Sequence, residues 1–432
     1  MVQFHTRRNA FLNNNDEIYE VVMIAGQSGP SVYVPKGNLN TATDAFGRLR
    51  VGSPHTLFDN SFRYNDNTEK WNQKITGTGT VTHNADQGLI DLTIGTAEND
   101  EIIRETSRVF QYQPGKSLLS LNTFSMGTAQ ENVRMRIGYY GKENGIYFER
   151  DGEELYIVKR SAVSGSIVET RVPQSQWNTN KLDGLSIISP NFNSDRSHIF
   201  WTDFEWLGVG SVRTGFVING QFIICHIFHH ANHIEGTYMT TATLPIRYEV
   251  KNTGASIGAT LKQICSTVIS EGGYSALSLA RGASTALTGK NLSQIRFRPL
   301  INIRLKSGRT DGVVIPSEAM VYGLQQAAFK FAIIKGSSVN NPSWESLDDL
   351  SDVEYDISAD SINTIGTIVK EGIFVGDNKG GSTIINLMDM NHSLQLSRGI
   401  IDSDSAGDIL TLAAISTTNN DDAVGSISWQ EH

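Results

Sequence analysis

Two carboxylates separated by one residue are the first candidates for chemistry in this sequence. They are Asp203 and Glu205, within the run WTDFEWLG at residues 201–208. If this run is a β-strand, alternate residues point to the same face, so the two carboxylates lie on one side of a sheet. Carboxyl groups placed in this way can supply the acid and the nucleophile of glycoside cleavage. The spacing of the two carboxylates therefore makes this run a candidate site for glycan cleavage or glycan binding.

The same run is similar to the E-x-D-x-E strand of the laminarinase-type glycoside hydrolases, which are jelly rolls with that strand lining the sugar cleft. Asp203 and Glu205 match the family's middle aspartate and its acid/base glutamate, but Trp201 stands where the family has its nucleophilic glutamate. Double displacement cannot run without the nucleophile, so we expect no catalytic residue here. Trp201, Asp203, Glu205 and Trp206 are candidates for glycan contact instead.

Four of the ten histidines fall within eight residues, at His226, His229, His230 and His233. Imidazoles at this density can bind Zn²⁺ or Ni²⁺, or can respond to pH as they gain a proton. However, residues 220–228 have the pattern of a strand, no HExxH motif follows, and Asn232 and Gly236 indicate a loop. We expect a loop of hydrogen-bonded histidines, with a metal site as the alternative.

No other motif indicates a reaction or a bound cofactor. The sequence has no GxSxG nucleophile elbow, no Walker loop and no dinucleotide-binding fingerprint in a strand–helix context. The sequence therefore predicts a non-enzymatic protein without a cofactor.

Period-two alternation of apolar and polar residues dominates the elements that would position these groups. Residues 90–94, 133–139 and 246–250 alternate in this way, which predicts antiparallel strands with one buried and one wetted face. The pairs Asp151-Gly152 and Asn219-Gly220 lie between such runs and predict type I′ hairpins. Helical windows are scarce, and residues 318–334 fit a helix or a strand equally well. The predicted class is all-β, a β-sandwich or jelly roll.

The sequence divides into three predicted parts. Residues 1–50 are polar and Asn-rich, which is typical of an extended N-terminal arm. Residues 51–290 form the predicted jelly-roll sandwich. A stretch rich in Gly, Ser and Ala over residues 271–289 precedes a smaller C-terminal β domain at 291–432.

Composition narrows the class of protein further. The 432 residues are 39% apolar and 19% charged, which excludes collagen-like, disordered and coiled-coil chains. The net charge of −9, without a dense basic block, makes nucleic acid an unexpected partner. No secretory signal and no stretch long enough to span a bilayer is found. Cys225 and Cys265 are expected as free thiols, with a single bridge as the alternative.

Two strings resemble virion structural proteins of tailed bacteriophages, particularly cyanophage-like ones. The first is TDAFGRLRV at residues 43–51 followed by TLFD at 56–59, and the second runs over residues 206–226. The resemblance implies a β-rich component of the tail, baseplate or fibre apparatus, or a head decoration protein. In the arm, Phe46, Leu49 and Val51 are the expected apolar anchors on a neighbouring subunit. The order of Trp71, residues 89–94 and the 203–208 strand is similar to that of concanavalin-like sandwiches.

These observations together predict a structural component of the virion, assembled in the host cytoplasm. Its partners would be other virion structural proteins and further copies of itself, in a symmetric homo-oligomer such as a trimer. One alternative is a receptor-binding module that recognises host surface glycan through the central sandwich. A glycan-degrading enzyme that uses Glu205 is the remaining alternative.

Overall fold

The computed structural model describes residues 8–12, 18–22, 53–186, 189–275, 278–309, 311–377, 379–388 and 394–432. The chain divides into two units, Met1–Ser53 and Pro54–His432. In the first unit, β1 (Arg8–Leu12) pairs antiparallel with β2 (Ile18–Val22). The predicted anchors Phe46, Leu49 and Val51 lie outside the described residues.

The second unit begins with a sandwich of two large antiparallel sheets. Its strands are β3 (His55–Ser61), β4 (Trp71–Thr76), β5 (Thr80–Asn84), β6 (Leu89–Ile94), β7 (Glu101–Thr106), β8 (Leu118–Ser125), β9 (Val133–Tyr140), β10 (Gly145–Asp151), β11 (Glu154–Ser161), β12 (Val168–Pro173), β13 (Asp183–Ser186), β14 (Ser189–Asn191), β15 (Ser197–Phe204), β16 (Val212–Ile218), β17 (Gln221–Phe228), β18 (Ile246–Asn252) and β19 (Ala259–Ser270). A 3₁₀ turn spans Gln174–Gln176.

The order of these strands defines a seven-stranded and an eight-stranded sheet. The seven-stranded sheet runs β12-β11-β10-β9-β18-β7-β4. The eight-stranded sheet runs β17-β16-β15-β8-β19-β6-β5, with β3 also paired to β19, and β13 and β14 form a small separate ribbon. Aromatic side chains from the two inner faces meet in the core, where the ring of Phe148 on β10 lies 5.1 Å from that of Phe216 on β16. The alternation of apolar residues in the sequence is what brings these faces together.

A second, smaller sandwich follows. Its strands are β20 (Leu279–Ser284), β21 (Lys290–Asn291), β22 (Arg298–Leu305), β23 (Val314–Gly323), β24 (Ala328–Asn340), β25 (Glu345–Ser346), β26 (Val353–Asp356), β27 (Ser361–Thr364), β28 (Thr367–Val375), β29 (Gly381–Asn386), β30 (Ile409–Ser416) and β31 (Asp422–Glu431). One sheet runs β20-β31-β23-β29, with β21 on β31, and the other runs β25-β26-β22-β30-β24-β27, with β28 on β24. Its separate core contains Leu300, Phe329, Leu412 and Trp429.

The predicted all-β class is confirmed. Residues 318–334, which the sequence left undecided, belong to β23 and β24. The Asn219-Gly220 turn has the predicted type I′ geometry, because both residues have positive φ. The other hairpin differs: its two-residue loop is Gly152-Glu153, and positive φ is found at Gly152 but not at Glu153. This makes it the II′ class, in which only the first loop residue needs a glycine-like φ.

Two further expectations can be compared with the described part of the chain. Cys225 and Cys265 are free thiols, and burial raises the pKa of the Cys225 thiol to about 12. Within the same residues, no helix has the length and apolarity that a bilayer crossing requires.

Candidate functional site

Two of the four candidate glycan contacts, Trp201 and Asp203, lie on the outer face of the eight-stranded sheet. On β15, Phe200 and Phe204 point into the core, so Trp201 and Asp203 point outward. Asp203 is buried and accepts hydrogen bonds from the Ser117 hydroxyl and the Arg213 guanidinium. Its carboxylate is therefore held in an ion pair.

Glu205 does not share this face. The sequence predicted one strand over residues 201–208, but β15 ends at Phe204. Glu205 lies in the following turn, exposed, and its backbone N–H donates to Ser211 O at 3.2 Å. Trp206 packs edge-on against Tyr112, with ring centroids 5.8 Å apart. The structure thus separates the four candidate glycan contacts into two environments, and glycan contact at any of them stays a prediction.

Trp201 is nearly buried on the sheet surface. Its ring meets that of Phe222 edge-on at 5.4 Å, and its cross-strand neighbour on β16 is Gly215, which leaves space for an indole. The indole N–H has no partner among the described residues. This side chain occupies the position at which a retaining glycosidase of this pattern would need a carboxylate.

The histidine cluster lies at the end of β17 and in the loop that follows, as predicted. His230 is buried and stacks on Tyr238 with ring centroids 3.7 Å apart. Its Nδ1 donates to Gly210 O at 2.7 Å, because a carbonyl oxygen only accepts, and its Nε2 is then free to accept from the Lys159 ammonium at 3.2 Å. Burial lowers the pKa of His230 to about 4.

The other three imidazoles have separate partners. His226 is buried and its Nδ1 accepts from the Asn178 backbone N–H at 3.3 Å, whereas His229 is exposed and its Nδ1 lies 3.4 Å from Ser211 Oγ. Burial, with a smaller contribution from His229, lowers the pKa of His226 to about 4. His233 lies in the loop, where its backbone N–H donates to His230 O. In the part of the chain that the structure describes, no three His, Cys, Asp or Glu side chains are grouped for a metal.

A buried network of ion pairs covers the outer face of the seven-stranded sheet. We define it by Glu105, Arg136, Glu149, Arg247 and Glu249. Register places Arg136 of β9 opposite Glu149 of β10 and Glu249 of β18, and Arg247 opposite Glu105 of β7. Arg136 Nε donates to Glu149 at 2.6 Å, and Arg247 lies 3.4 Å from both Glu105 and Glu249. Directly opposed charges of opposite sign stabilise an antiparallel pair.

The sequence expectation of a wetted face is wrong at these positions. All five side chains of the network are buried. Burial raises the pKa of Glu249, but the guanidinium groups of Arg247, Arg136 and Arg134 outweigh it, and the pKa is lowered to about 2. Glu105 differs, because burial raises its pKa more than Arg398 and Arg247 lower it. Charged residues can fill a buried face only where partners of opposite sign accompany them.

The network continues into the second sandwich through the segment at residues 394–408. Arg247 forms a bidentate pair with Asp402, at 2.6 and 2.9 Å, and Arg398 donates to Glu105 at 3.1 Å. The same segment is held to the second sandwich by Leu396 N–H donating to Val314 O and by Gly407 N–H donating to Leu305 O. The two sandwiches are therefore joined by buried charge.

An exposed apolar edge forms at the open side of the second sandwich. Strand β28 pairs with β24 alone among the described strands, and β29 pairs with β23 alone. The two lie side by side, linked by Lys370 Nζ donating to Asn386 O at 2.7 Å. Ile373 and Val375 are each 73% exposed and Ile384 is 67% exposed. We call these three residues the apolar edge.

The sequence reading missed the charge network and the apolar edge. The signal for the first was present, because acidic and basic residues take the same alternate positions in 134–136, 149, 169–171 and 247–249. Charged side chains at alternate positions fit a solvent-exposed face, but they also fit a buried face on which opposite charges pair across strands. The apolar edge had no local signal, because strands with one partner and strands with two look alike in sequence.

Comparisons with known proteins show no closely related protein. No family model matches the chain, and no curated protein matches it. Among solved structures, the CBM2 module of the evolved Dit of Lactobacillus casei BL23 phage J-1 is similar to 52% of this chain over 100% of its own length, at 7% identity and a TM-score of 0.34. A Bacteroides ovatus mixed-linkage glucan GH16 is similar to 49% of this chain over 99% of its own length, at 9% identity and a TM-score of 0.34.

A carbohydrate esterase of the Shiga toxin-encoding bacteriophage phi24B is similar over 51% of this chain and 100% of its own, at 13% identity and a TM-score of 0.30. Likeness at this level says nothing about activity. The function has to be inferred from this chain's own residues.

Removing one member of the charge network should strongly destabilise the fold. We expect Arg247→Met to lower the free energy of unfolding by about 3–5 kcal/mol, because it leaves the buried carboxylates of Glu105 and Glu249 and the partly exposed one of Asp402 short of a partner. Urea denaturation at pH 7 measures this. Lys262→Met is the matched control, since its 2.7 Å pair with Asp91 is only half-buried and should contribute about 0–1 kcal/mol. Equal losses in the two variants would contradict the role of the network.

The buried histidines should make stability depend on pH. An unfolded histidine has a pKa of about 6.5, so between that pH and about 4 the unfolded state binds more protons than folded His230 does. The contribution of each buried histidine to the free energy of unfolding is therefore fully present above this pH window. It is lost as the pH drops through the window, by about 2–3 kcal/mol per histidine between pH 7 and 4.5.

His230→Gln should remove one such contribution from the difference in unfolding free energy between pH 7 and pH 4.5. His229→Gln replaces an exposed histidine of the same loop and should alter that difference much less, because the His229 charge contributes less than burial to the lowered pKa values of His226 and His230. Chemical denaturation at the two pH values measures both variants. An unaltered pH dependence in His230→Gln would show that this imidazole is not held neutral by burial.

Proposed function

We propose that this protein is a non-enzymatic structural subunit of a tailed-phage virion, which acts by assembling with further copies of itself and with other virion proteins. The observation that carries the proposal is the apolar edge. Ile373 and Val375 on β28 and Ile384 on β29 expose apolar side chains on two strands that each have a single hydrogen-bonded neighbour among the described strands. The protein then functions through the surface that its subunits bury against each other.

An edge of this kind requires a cover in the native assembly. Its unpaired N–H and C=O groups can take up another strand, and natural proteins protect such edges with charge, proline or a partner. The outward positions near the end of β28 are Ile373 and Val375, which carry no charge. A second copy of this chain brings the same two open edges, so β28 of one copy can cover β29 of the next. Repetition of this contact around an axis closes a symmetric oligomer, for which a trimer is our expectation.

The geometry of β15 supports the non-enzymatic part of the proposal. Asp203 is already paired with Arg213, Glu205 lies beyond the strand, and Trp201 takes the place of the nucleophile. A glycosidase needs two carboxylates that flank one glycosidic bond. Location in the virion is supported by the strings at residues 43–51 and 206–226, which resemble phage virion proteins. Tail, baseplate, fibre and head decoration all fit such a subunit.

Charge placed on the apolar edge should dissociate the oligomer. We expect the double variant Ile373→Asp/Val375→Asp to weaken self-association at least about a hundredfold, since each truncated or charged anchor in an interface costs more than about 1 kcal/mol and two like charges would meet across it. Analytical ultracentrifugation over a concentration series measures the mass.

Ile257→Asp is the control for this experiment, because Ile257 is 84% exposed but lies in the first sandwich, away from β28 and β29. It should assemble as the parent protein does. A parent protein that stays monomeric at concentrations of about 100 μM, where weak interfaces associate, or a double variant of unchanged mass, would contradict the proposal.

A further inference from the structure

A cleft lies between the two sandwiches, on the side of β4. One wall consists of β4 and the loop before it, and the other consists of β22, β24, β26 and the segment at 397–408. It has two adjoining chambers, of about 1090 and 200 Å³, which share Thr68, Asn72 and Asp408. The larger chamber is at the upper limit of small-molecule sites, which span about 300–1,000 Å³ and occur preferentially between domains. We call it the inter-sandwich cleft.

Two buried hydroxyl groups that line the cleft have no partner among the described residues. Ser397, in the smaller chamber, is only 2% exposed, and its hydroxyl is unpaired, as is the Ser405 hydroxyl in the larger chamber. The half-buried Lys335 ammonium and the exposed Asp408 carboxylate also line the smaller chamber. Buried polar groups are nearly always satisfied, so unsatisfied groups gathered around one cavity point to a ligand.

The two charged groups differ in exposure, because Lys335 is half-buried and Asp408 is exposed. Partial desolvation of its carboxylate still raises the pKa of Asp408, although the Lys335 ammonium opposes it. Burial also lowers the pKa of Lys335, and the nearby Arg108 guanidinium lowers it further.

The lining of the cleft indicates the chemistry of its ligand. Lys74, Arg304 and Lys335 are balanced by Glu69, Glu354 and Asp408, so the cleft has no net charge to offer an ion. Hydrogen-bond acceptors and hydrogen-bond donors both line the cleft. A hydroxyl group both donates and accepts, and adjacent hydroxyls can donate to the two oxygens of one carboxylate. Ile400 and Ile75 add exposed aliphatic surface at the larger chamber.

We infer that the inter-sandwich cleft binds a neutral carbohydrate. Asp408 accepts hydrogen bonds from hydroxyl groups of one sugar, and Lys335 and Ser397 donate to oxygens of the same ring. The larger chamber holds the adjoining sugars against Ile400 and Ile75. A phosphate or another anion is disfavoured, because the carboxylates of Asp408 and Glu69 line the same space. This site is distinct from the β15 surface, where the sequence placed glycan contact.

The test is isothermal titration of the full chain with cellohexaose, maltohexaose, laminarihexaose and chitohexaose, with inorganic phosphate as the anionic probe. We expect at least one hexasaccharide to bind with a Kd below about 1 mM. Asp408→Asn should weaken that binding at least about tenfold, as loss of a charged hydrogen bond does, and Lys335→Met should do the same. Asp349→Asn changes an exposed carboxylate outside the cleft and should bind as the parent does.

Each outcome decides the matter. No binding by any hexasaccharide, binding by phosphate alone, or equal affinity in Asp408→Asn and the parent would overturn the inference. Thermal unfolding of both cleft variants shows whether they are folded, and two variants with opposite charge changes guard against a local disturbance. Because oligomeric mass is measured separately, failure here would leave the assembly proposal standing, and the reverse also holds.

Discussion

The buried charge network is the constraint on which the arrangement of the second unit depends. Arg247 contacts three carboxylates, those of Glu105 and Glu249 within its own sheet and that of Asp402 from the other sandwich. An unpaired charge in this position would be expensive, so the sheet face and the segment at residues 394–408 must be in place together. Apolar cores explain why each sandwich folds, whereas the network, together with a small apolar cluster of Val109, Val313 and Ile315, holds the two sandwiches against each other.

This constraint positions the other features of the molecule. The segment that supplies Arg398 and Asp402 to the network continues to Ser397 and Asp408, so it also forms a wall of the inter-sandwich cleft. In the second sandwich, β28 and β29 each have one hydrogen-bonded neighbour among the described strands. A firmly joined pair of sandwiches can transmit an assembly contact at the apolar edge without bending between its halves.

Sequence reasoning predicted what depends on local patterns. The all-β class, the strands around residues 90–94, 133–139 and 246–250, and the type I′ turn at Asn219-Gly220 follow from alternation and from the φ preferences of Asn and Gly. It was wrong where the outcome depends on distant partners. Arg136 and Arg247 have the pattern of a wetted face, but cross-strand register supplies their counter-charges and the face is buried.

The candidate site shows the same division. The strand that carries Trp201 and Asp203 was predicted, but the end of that strand at Phe204 was not, because the turn that follows is stabilised by contacts such as the Trp206–Tyr112 pair. Lys335 and Asp408 are 73 positions apart in sequence and give no local sign that they line one cavity.

Differential scanning calorimetry of the full chain is the most direct measurement of whether buried charge unites the two sandwiches. If it does, both cores unfold together, in a single transition whose calorimetric and van't Hoff enthalpies agree. Two resolved transitions, or a calorimetric enthalpy about twice the van't Hoff value, would mean that the sandwiches unfold independently and that the network does not join them.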